Sequence, residues 1–459
     1  MARTIAATLT AGPAARTQRL LEAPIATTLL RLAAPNAIIL VVQTALNILE
    51  AYFVGALGAD ALAGIALTFP LVMLMQTMSA GGMGGGVASA VARALGAGRR
   101  RDADALVFHA IVVAVAMGAL FTVGMLTAGP ALYAAMGGTG RTLDAALAYS
   151  NVVFAGAVAF WLFNILAAVI RGTGNMALPA VTGVVNALLI LAISPSLIFG
   201  LGPFPRLGIA GAGVALLIYY VMGAAVFAAY LVSPRSLARL TVRGVRLRPA
   251  LFGAILRVGA PGALNTVQTN LTVIVLTGLV GPFGTFALAG YGMGARLEYL
   301  QIPLVFAIGS ALVTMVGTNV GAGQTLRAQR ITWVGAALAA GVTEVIGLAA
   351  ALFPHAWLGI FSSEPEVLAA GTTYLRIVGP TYGFFGLGLA LYFASQGAGR
   401  MLWPLLAGFA RLTVAAFAGW LTIRWGGALP ALFTTMAIAL VVFGSTVAIA
   451  ISAGSAPKE

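Results

Sequence analysis

The chain of 459 residues contains no cysteine, only two histidines, and charged residues at 8% of its positions, eleven of them acidic. Without cysteine there is no disulfide, no thiol nucleophile and no thiolate metal site. The two histidines, His109 and His355, are distant in sequence and on opposite predicted sides, so no metal or catalytic constellation forms around them. So few charges cannot cover a soluble domain of this length, while 61% of the residues are hydrophobic and the mean hydropathy is +1.02. The chain is therefore expected to be a polytopic membrane protein. Period-two alternation is also missing, which argues against a membrane β-barrel. The opening stretch MARTIAATLTAGPAARTQRLLEAP has no apolar core of signal-peptide length before Arg16 and Arg19, and reads as a cytoplasmic leader.

What is present is a series of apolar runs, each long enough for a spanning helix of roughly 20 residues. Breaking them at charge clusters and Gly/Pro punctuation predicts twelve segments: 29–55, 61–90, 105–128, 143–170, 176–200, 208–232, 251–280, 287–317, 329–353, 367–395, 401–423 and 429–453. The net charge of +14 would suggest nucleic acid in a soluble protein, but here it follows topology. An even number of spans puts both termini on one side, and that side collects nineteen of the 25 basic residues. The opposite side holds Arg141, Arg206 and Arg424, and the remaining three, Arg296, Arg376 and Arg411, fall within segments. The excess makes the termini cytoplasmic and the protein multi-pass in a plasma membrane of the bacterial inner-membrane type, with no nucleic-acid partner.

The chain repeats itself. LRLAAP at 30–35 returns as LRVGAP at 256–261, and VGALGADALAG at 54–64 returns as VGPFGTFALAG at 280–290, both displaced by 226. LGAGRRRDA around Gly96 matches VGAGQTLRA around Gly321, and RGTGNMALP at 171–179 matches QGAGRMLWP at 396–404, both displaced by 225. The expected organisation is a leader 1–28, a six-helix lobe 29–232, an Arg-rich cytoplasmic linker 233–250, a second six-helix lobe 251–453 and a tail 454–459. Six spans per half give parallel repeats about an axis along the membrane normal, an arrangement that encloses a site between the lobes with alternating access.

These pieces resemble the multidrug and toxic compound extrusion family. The resemblance is carried by an acid in the first helix before Phe53-Val54-Gly55, then LGADALAG, Pro70, ARALGAGRRRDA, RGTGN, LIFG with LGIAGAGVAL, and VGTNVGAGQ, in family order over residues 30–405. It implies an all-α fold of twelve helices in two lobes, V-shaped, that exports bulky, often cationic, amphipathic compounds in exchange for protons or sodium ions. It implies a transporter rather than an enzyme, with no cofactor beyond the coupling ion, working as a monomer in the lipid bilayer. The chain departs from relatives at Ser194, where many carry Asp before Pro, and in the seventh helix, where Asn265, Gln268 and Asn270 stand in a segment that elsewhere holds Glu.

Glu50 is the one acid inside a predicted helix of the first lobe, and its repeat mate is Leu276. A carboxylate facing hydrocarbon costs roughly 2.5 to 3.5 kcal/mol, so Glu50 is expected to face a lobe cavity. Burial disfavours the charged form, which makes reversible protonation the expected chemistry. The alternative is an interfacial Glu snorkelling to the outer surface. Asn47, one turn back, is its natural hydrogen-bond neighbour. Pro35 is either a hinge coupled to Glu50 or a helix-start proline. Asn151, Asn164 and Asn186 either complete an N-lobe cavity or bond between helices, the commoner use. In the second lobe Arg296 and Glu298 line a cavity or pair with Arg411 or Arg376, and Glu344 is a second ion site or, the favoured reading, a packing hydrogen bond. The Met73, Met75, Met78 and Met83 cluster suits a wall for varied ligands, though packing is its commoner use.

The leading expectation is thus a proton-driven exporter, with sodium coupling less favoured. A flippase for lipid-linked cell-envelope intermediates would need Arg296, Arg376 and Arg411 gathered around a pyrophosphate. An integral membrane transferase would need clustered catalytic groups at one water face, whereas Asp60, Asp144, Glu364 and Glu366 are scattered. A gated channel would need a selectivity filter, which nothing here resembles.

Overall fold

The structure, a computed structural model, describes residues 13–241 and 246–453. Arg3, Arg243, Lys458, the start of the leader, the tail 454–459 and the side chain of Asn47 lie outside the described residues. Within them the chain is helical, with no strand. An apolar helix in lipid satisfies every backbone group internally, which is why each long apolar run takes this form.

The first helix, α1 (Pro13–Glu22), falls in the leader, where the apolar runs give no sign of it. The first lobe then comprises α2 (Ile25–Gly55), α3 (Ala59–Thr77), α4 (Gly84–Gly96), α5 (Arg100–Ala135), α6 (Gly140–Ala155), α7 (Ala157–Gly172), α8 (Ala177–Phe199) and α9 (Ile209–Val232). The second comprises α10 (Pro249–Val280), α11 (Thr285–Gly321), α12 (Thr325–Leu352), the short α13 (Pro354–Leu358), α14 (Pro365–Val378), α15 (Tyr382–Ala398), α16 (Leu402–Arg424) and α17 (Leu429–Ala453). Among the described residues eleven spans are long and apolar enough to cross a membrane, and α6 with α7, bent by 51° at Gly156, makes a twelfth. Each overlaps one predicted segment.

Two further spans are built from two helices for visible reasons. α3 and α4 are one span joined by a π-helical stretch, Met78–Met83. α14 and α15 are joined by a 3-10 turn at Gly379–Thr381, where Pro380 cannot donate a backbone bond. The duplicated backbone is most exact at its turns. Glycines with positive φ recur at Gly58 and Gly284 (113° and 97°), Gly98 and Gly323 (70° and 76°), Gly174 and Gly399 (80° and 76°), and Gly200 and Gly426 (73° and 69°). The first and last pairs are 226 apart and the middle two 225, so the same left-handed turns close the same spans in both halves.

The closest approaches between the lobes fall in the halves of the spans nearest the termini. A β-carbon on Gly82 would lie 2.7 Å from the Ala263 nitrogen, and one on Gly86 2.6 Å from the Gly259 nitrogen and 2.7 Å from the Ile255 oxygen. Gly96 meets the Thr318 carbonyl while its mate Gly321 meets the Arg93 carbonyl, and Thr318 is itself the mate of Arg93. The lower part of α2 also crosses over: Leu29 and Leu32 share an apolar cluster with Ile308, Leu312 and Met315 of α11. The linker lies against α5, where Asp102 bonds Arg248 (2.9 Å), Asp104 accepts from the Arg239 amide (2.6 Å) and His109 Nε2 accepts from the Arg248 amide (2.9 Å).

Candidate functional site

The lobes meet in the halves of the spans nearest the termini, and the polar groups of the spans divide into three places. In the first lobe, α2 carries Glu50 five residues from its end, at a half-buried position. Its Oε1 is buried and has no hydrogen-bond partner. Leu46, Phe53 and Val54, which flank it on α2, share the first lobe's apolar cluster with Tyr149 of α6 and Tyr220 of α9. Tyr220 belongs to an aromatic cluster with Phe160, Phe163 and Tyr219, ring centroids 4.3 to 5.2 Å apart. No basic residue pairs with Glu50 among the described residues.

The asparagines expected around Glu50 do different things. Asn164 Nδ2 bonds the Phe160 carbonyl one turn back (3.1 Å), and Asn186 Nδ2 bonds the Tyr219 carbonyl (2.9 Å), tying α8 to α9. Asn151 is exposed. Ser194, at the position of the missing Asp, is buried with its Oγ unpartnered. Pro35 is buried inside α2, which runs on through it. Beside it Asn36 Nδ2 donates to Ser310 Oγ of α11 (2.5 Å), so the proline stands where α2 is pinned to the opposite lobe.

In the second lobe Glu298 pairs with Arg411 (2.7 Å), and Tyr374 donates to its other oxygen (3.4 Å). Arg411 also lies over Phe385 (5.5 Å) and Phe443 (5.8 Å). Glu344 Oε2 accepts from the Gly383 amide (2.7 Å) and so caps the start of α15. Arg296 sits over Phe361 (5.5 Å), exposed, and Arg376 is exposed on α14. The three intramembrane arginines thus have separate surroundings, and the cluster a lipid-pyrophosphate flippase needs is not gathered from them. No group of three His, Asp or Glu suited to a metal occurs among the described residues.

The third place, between the two lobes, is legible only through the repeat. Arg171, Gly81, Gly85 and Ala88 of the first lobe line a cavity with Gln396, Phe306, Ser310 and Val313 of the second. Each of the second set is the first set's mate displaced by 225, so the cavity lies on the pseudo-two-fold axis. The bonds around it obey the same symmetry: Ser89 donates to the Gln396 carbonyl, and its mate Thr314 donates to the Arg171 carbonyl (2.9 Å). Arg93 adds bonds to the Gly397 carbonyl (3.2 Å) and the Ala254 carbonyl (3.3 Å), capping the end of α15 from the other lobe.

Comparison with known proteins agrees with this architecture. The chain is 27% identical over 397 residues to a FAD transporter of Shewanella oneidensis, covering 86% of this chain and 87% of that one. It is 27% identical to the probable multidrug resistance protein NorM of Thermotoga maritima, over 84% of each chain, and 23% identical to the multidrug export protein MepA of Staphylococcus aureus, over 84% and 86%. Among solved structures it resembles a MATE in the bent conformation (TM-score 0.87, 23% identity, 95% of this chain and 98% of that one). It also resembles an outward-facing multidrug resistance MATE transporter of the MOP superfamily (TM-score 0.85, 24% identity, 96% and 98%). These two likenesses concern the fold. The MatE family profile matches residues 35–196 and 261–421, one stretch in each lobe. The chain therefore belongs to the MatE family, a multi-pass membrane transporter rather than an enzyme.

Proposed function

We propose that this transporter is a secondary antiporter exporting bulky, amphipathic, chiefly cationic compounds in exchange for protons, with Glu50 as the group that takes up and releases the proton. The observation that carries the reading is the carboxylate itself, buried and without a hydrogen-bond partner at Oε1 and unpaired by any basic residue among the described ones. In a dry pocket the neutral acid is favoured, whereas a wetted pocket favours the carboxylate. A cation arriving in a cleft between the lobes favours the carboxylate as well, so cargo and proton compete, which is the requirement of exchange. A hard cation such as sodium takes several oxygen ligands, and a lone carboxylate suits a proton better.

The Arg-rich face is read as cytoplasmic, in an inner-membrane setting. The lobes are closed on that face, so the cleft opens outward. The protein acts as a monomer in the bilayer without a cofactor, and its positive charge serves topology rather than nucleic acid. The test is export of a cationic dye from proteoliposomes with proton and sodium gradients imposed separately. Glu50→Gln is expected to bind dye yet lose proton-driven export, and full proton-driven export by that variant would sink the assignment.

A second cargo class has specific support. The name of the Shewanella relative brings in a dinucleotide with a pyrophosphate, and the half-buried Arg171 between the two lobes has no carboxylate partner among the described residues. Uptake of radiolabelled FAD beside the cationic dye in inverted vesicles decides whether that class is carried.

A further inference from the structure

We infer that the axial cavity between Arg171 and Gln396 is a binding subsite for the acidic group, carboxylate or phosphate, of an amphipathic solute lying in the cleft. The inference deepens the second cargo class above and rests on the transport reading. It begins with the repeat: position 171 and its mate 396 face one cavity from opposite lobes, one a guanidinium and the other a carboxamide. Duplication explains why both side chains reach the axis, but not why one of them carries charge.

Nothing among the described residues neutralises that charge. No carboxylate lines the cavity, and none of the ion pairs among those residues involves Arg171. Arg93, further along the same interface, behaves differently, because its guanidinium is spent on Gln396, Gly397 and Ala254 carbonyls and the Ser89 hydroxyl. Arg93 holds the lobes together, whereas the Arg171 guanidinium forms no hydrogen bond with the described residues. Its fork of N–H donors matches a carboxylate or phosphate edge.

Gln396 supplies the second, independent sign. It is fully buried, and its Nε2 is held by the Gly81 carbonyl (3.0 Å) and the Tyr392 hydroxyl (2.9 Å). That leaves Oε1 as a buried acceptor with no partner at the cavity wall. A lone cation beside a lone acceptor suits a group bearing an anionic oxygen next to an O–H or N–H donor. Phe306 and Phe393 complete the wall with apolar surface for an attached ring. In this conformation the cavity has room for about one water, so it must widen to take the acidic tip of a solute.

Equilibrium binding tests the subsite without an ion gradient, so failure of the antiport reading leaves the measurement intact. The full chain in nanodiscs is titrated with carboxyfluorescein and, separately, with ethidium, by fluorescence polarisation. Arg171→Gln is expected to weaken carboxyfluorescein about tenfold while ethidium stays within about twofold, as loss of one charge-assisted contact requires. Arg171→Lys is expected to fall between, since it keeps the charge and loses the fork. Unlabelled aryl carboxylate and aryl phosphate compete in parallel, and the stronger competitor names the acid group. The inference is overturned if wild type does not bind carboxyfluorescein, if neither competitor acts, or if Arg171→Gln changes the two dyes equally, the mark of a purely structural arginine.

Discussion

Single residues here do work that their neighbours cannot share. Glu298 and Arg411 are only 18% and 13% exposed, and the guanidinium is boxed by Phe385 and Phe443. Removing the acid alone leaves an uncompensated cation among aromatic rings, which costs about 3 to 5 kcal/mol. Glu298→Ala is therefore expected to lower thermal stability in detergent sharply. The double variant Glu298→Met with Arg411→Met, apolar and similar in volume, is expected to recover most of the loss. If the single variant melts like wild type, the pair is not a structural one. The sequence leaves the partner of Glu298 open, because Arg376 offers the same chemistry. Only the fold, which brings the Arg411 side chain from α16 to Glu298 of α11, selects Arg411, and no spacing rule encodes a contact 113 residues away. Glu50 is legible for the opposite reason: an acid with no repeat mate stands out in the sequence alone. Arg171 is not, since a motif next to a turn reads as punctuation, and what marks it is the residue facing it across the axis.

At the level of elements, the irregular points carry the argument. The broken tenth span needs its second helix capped, and Glu344 does this by accepting from the Gly383 amide. The cap requires an acceptor oxygen and not a charge. Glu344→Gln is accordingly expected to transport normally and melt near wild type, while Glu344→Ala loses about 1 kcal/mol, the usual value of such a cap. Loss of proton-driven export in Glu344→Gln with stability retained would make it a second ion site instead. The second span and its repeat mate share a weakness at one register. The π-helical stretch of the second begins at Met78, and the eighth carries Pro303, the mate of that residue, inside α11. Both features loosen the ladder of backbone bonds and permit bending. Twelve apolar runs foretell twelve spans, but the predicted segments 287–317 and 367–395 run straight through Pro303 and Pro380. The π stretch is invisible in MSAGGM, because it arises from packing of small residues rather than from any residue that forbids an α-helix. The same holds for α1, a short amphipathic helix held by what it touches: Asn319 bonds the Leu20 carbonyl (3.0 Å) from one lobe, and Arg16 bonds Tyr230 (3.2 Å) of the other.

For the whole molecule, the alternating access proposed above requires that the closely packed face be able to open, so its closure must rest on contacts that a rigid-body motion can break together. The interface has this form. Backbone meets backbone at Gly82, Gly86, Gly96 and Gly321, with Arg93, Ser89, Thr314 and Asn36 adding bonds across it. A side chain at Gly86 has nowhere to go, since even its β-carbon would lie 2.6 Å from the Gly259 nitrogen. Gly86→Leu should therefore hold the lobes apart on the Arg-rich face and move the population toward the opposite opening. The lack of any native cysteine makes the shift readable without background. Ala92 is fully buried and packs against Gly317 of the other lobe, so Ala92→Cys reports on the gate from inside it. A membrane-impermeant maleimide applied to the Arg-rich face is expected to label that cysteine slowly in the parent. Adding Gly86→Leu should raise the rate about tenfold or more, the response to a shift of a few kcal/mol between two states. An unchanged rate would mean that close glycine packing does not hold the gate, and that the polar bonds around Arg93 and Gln396 do.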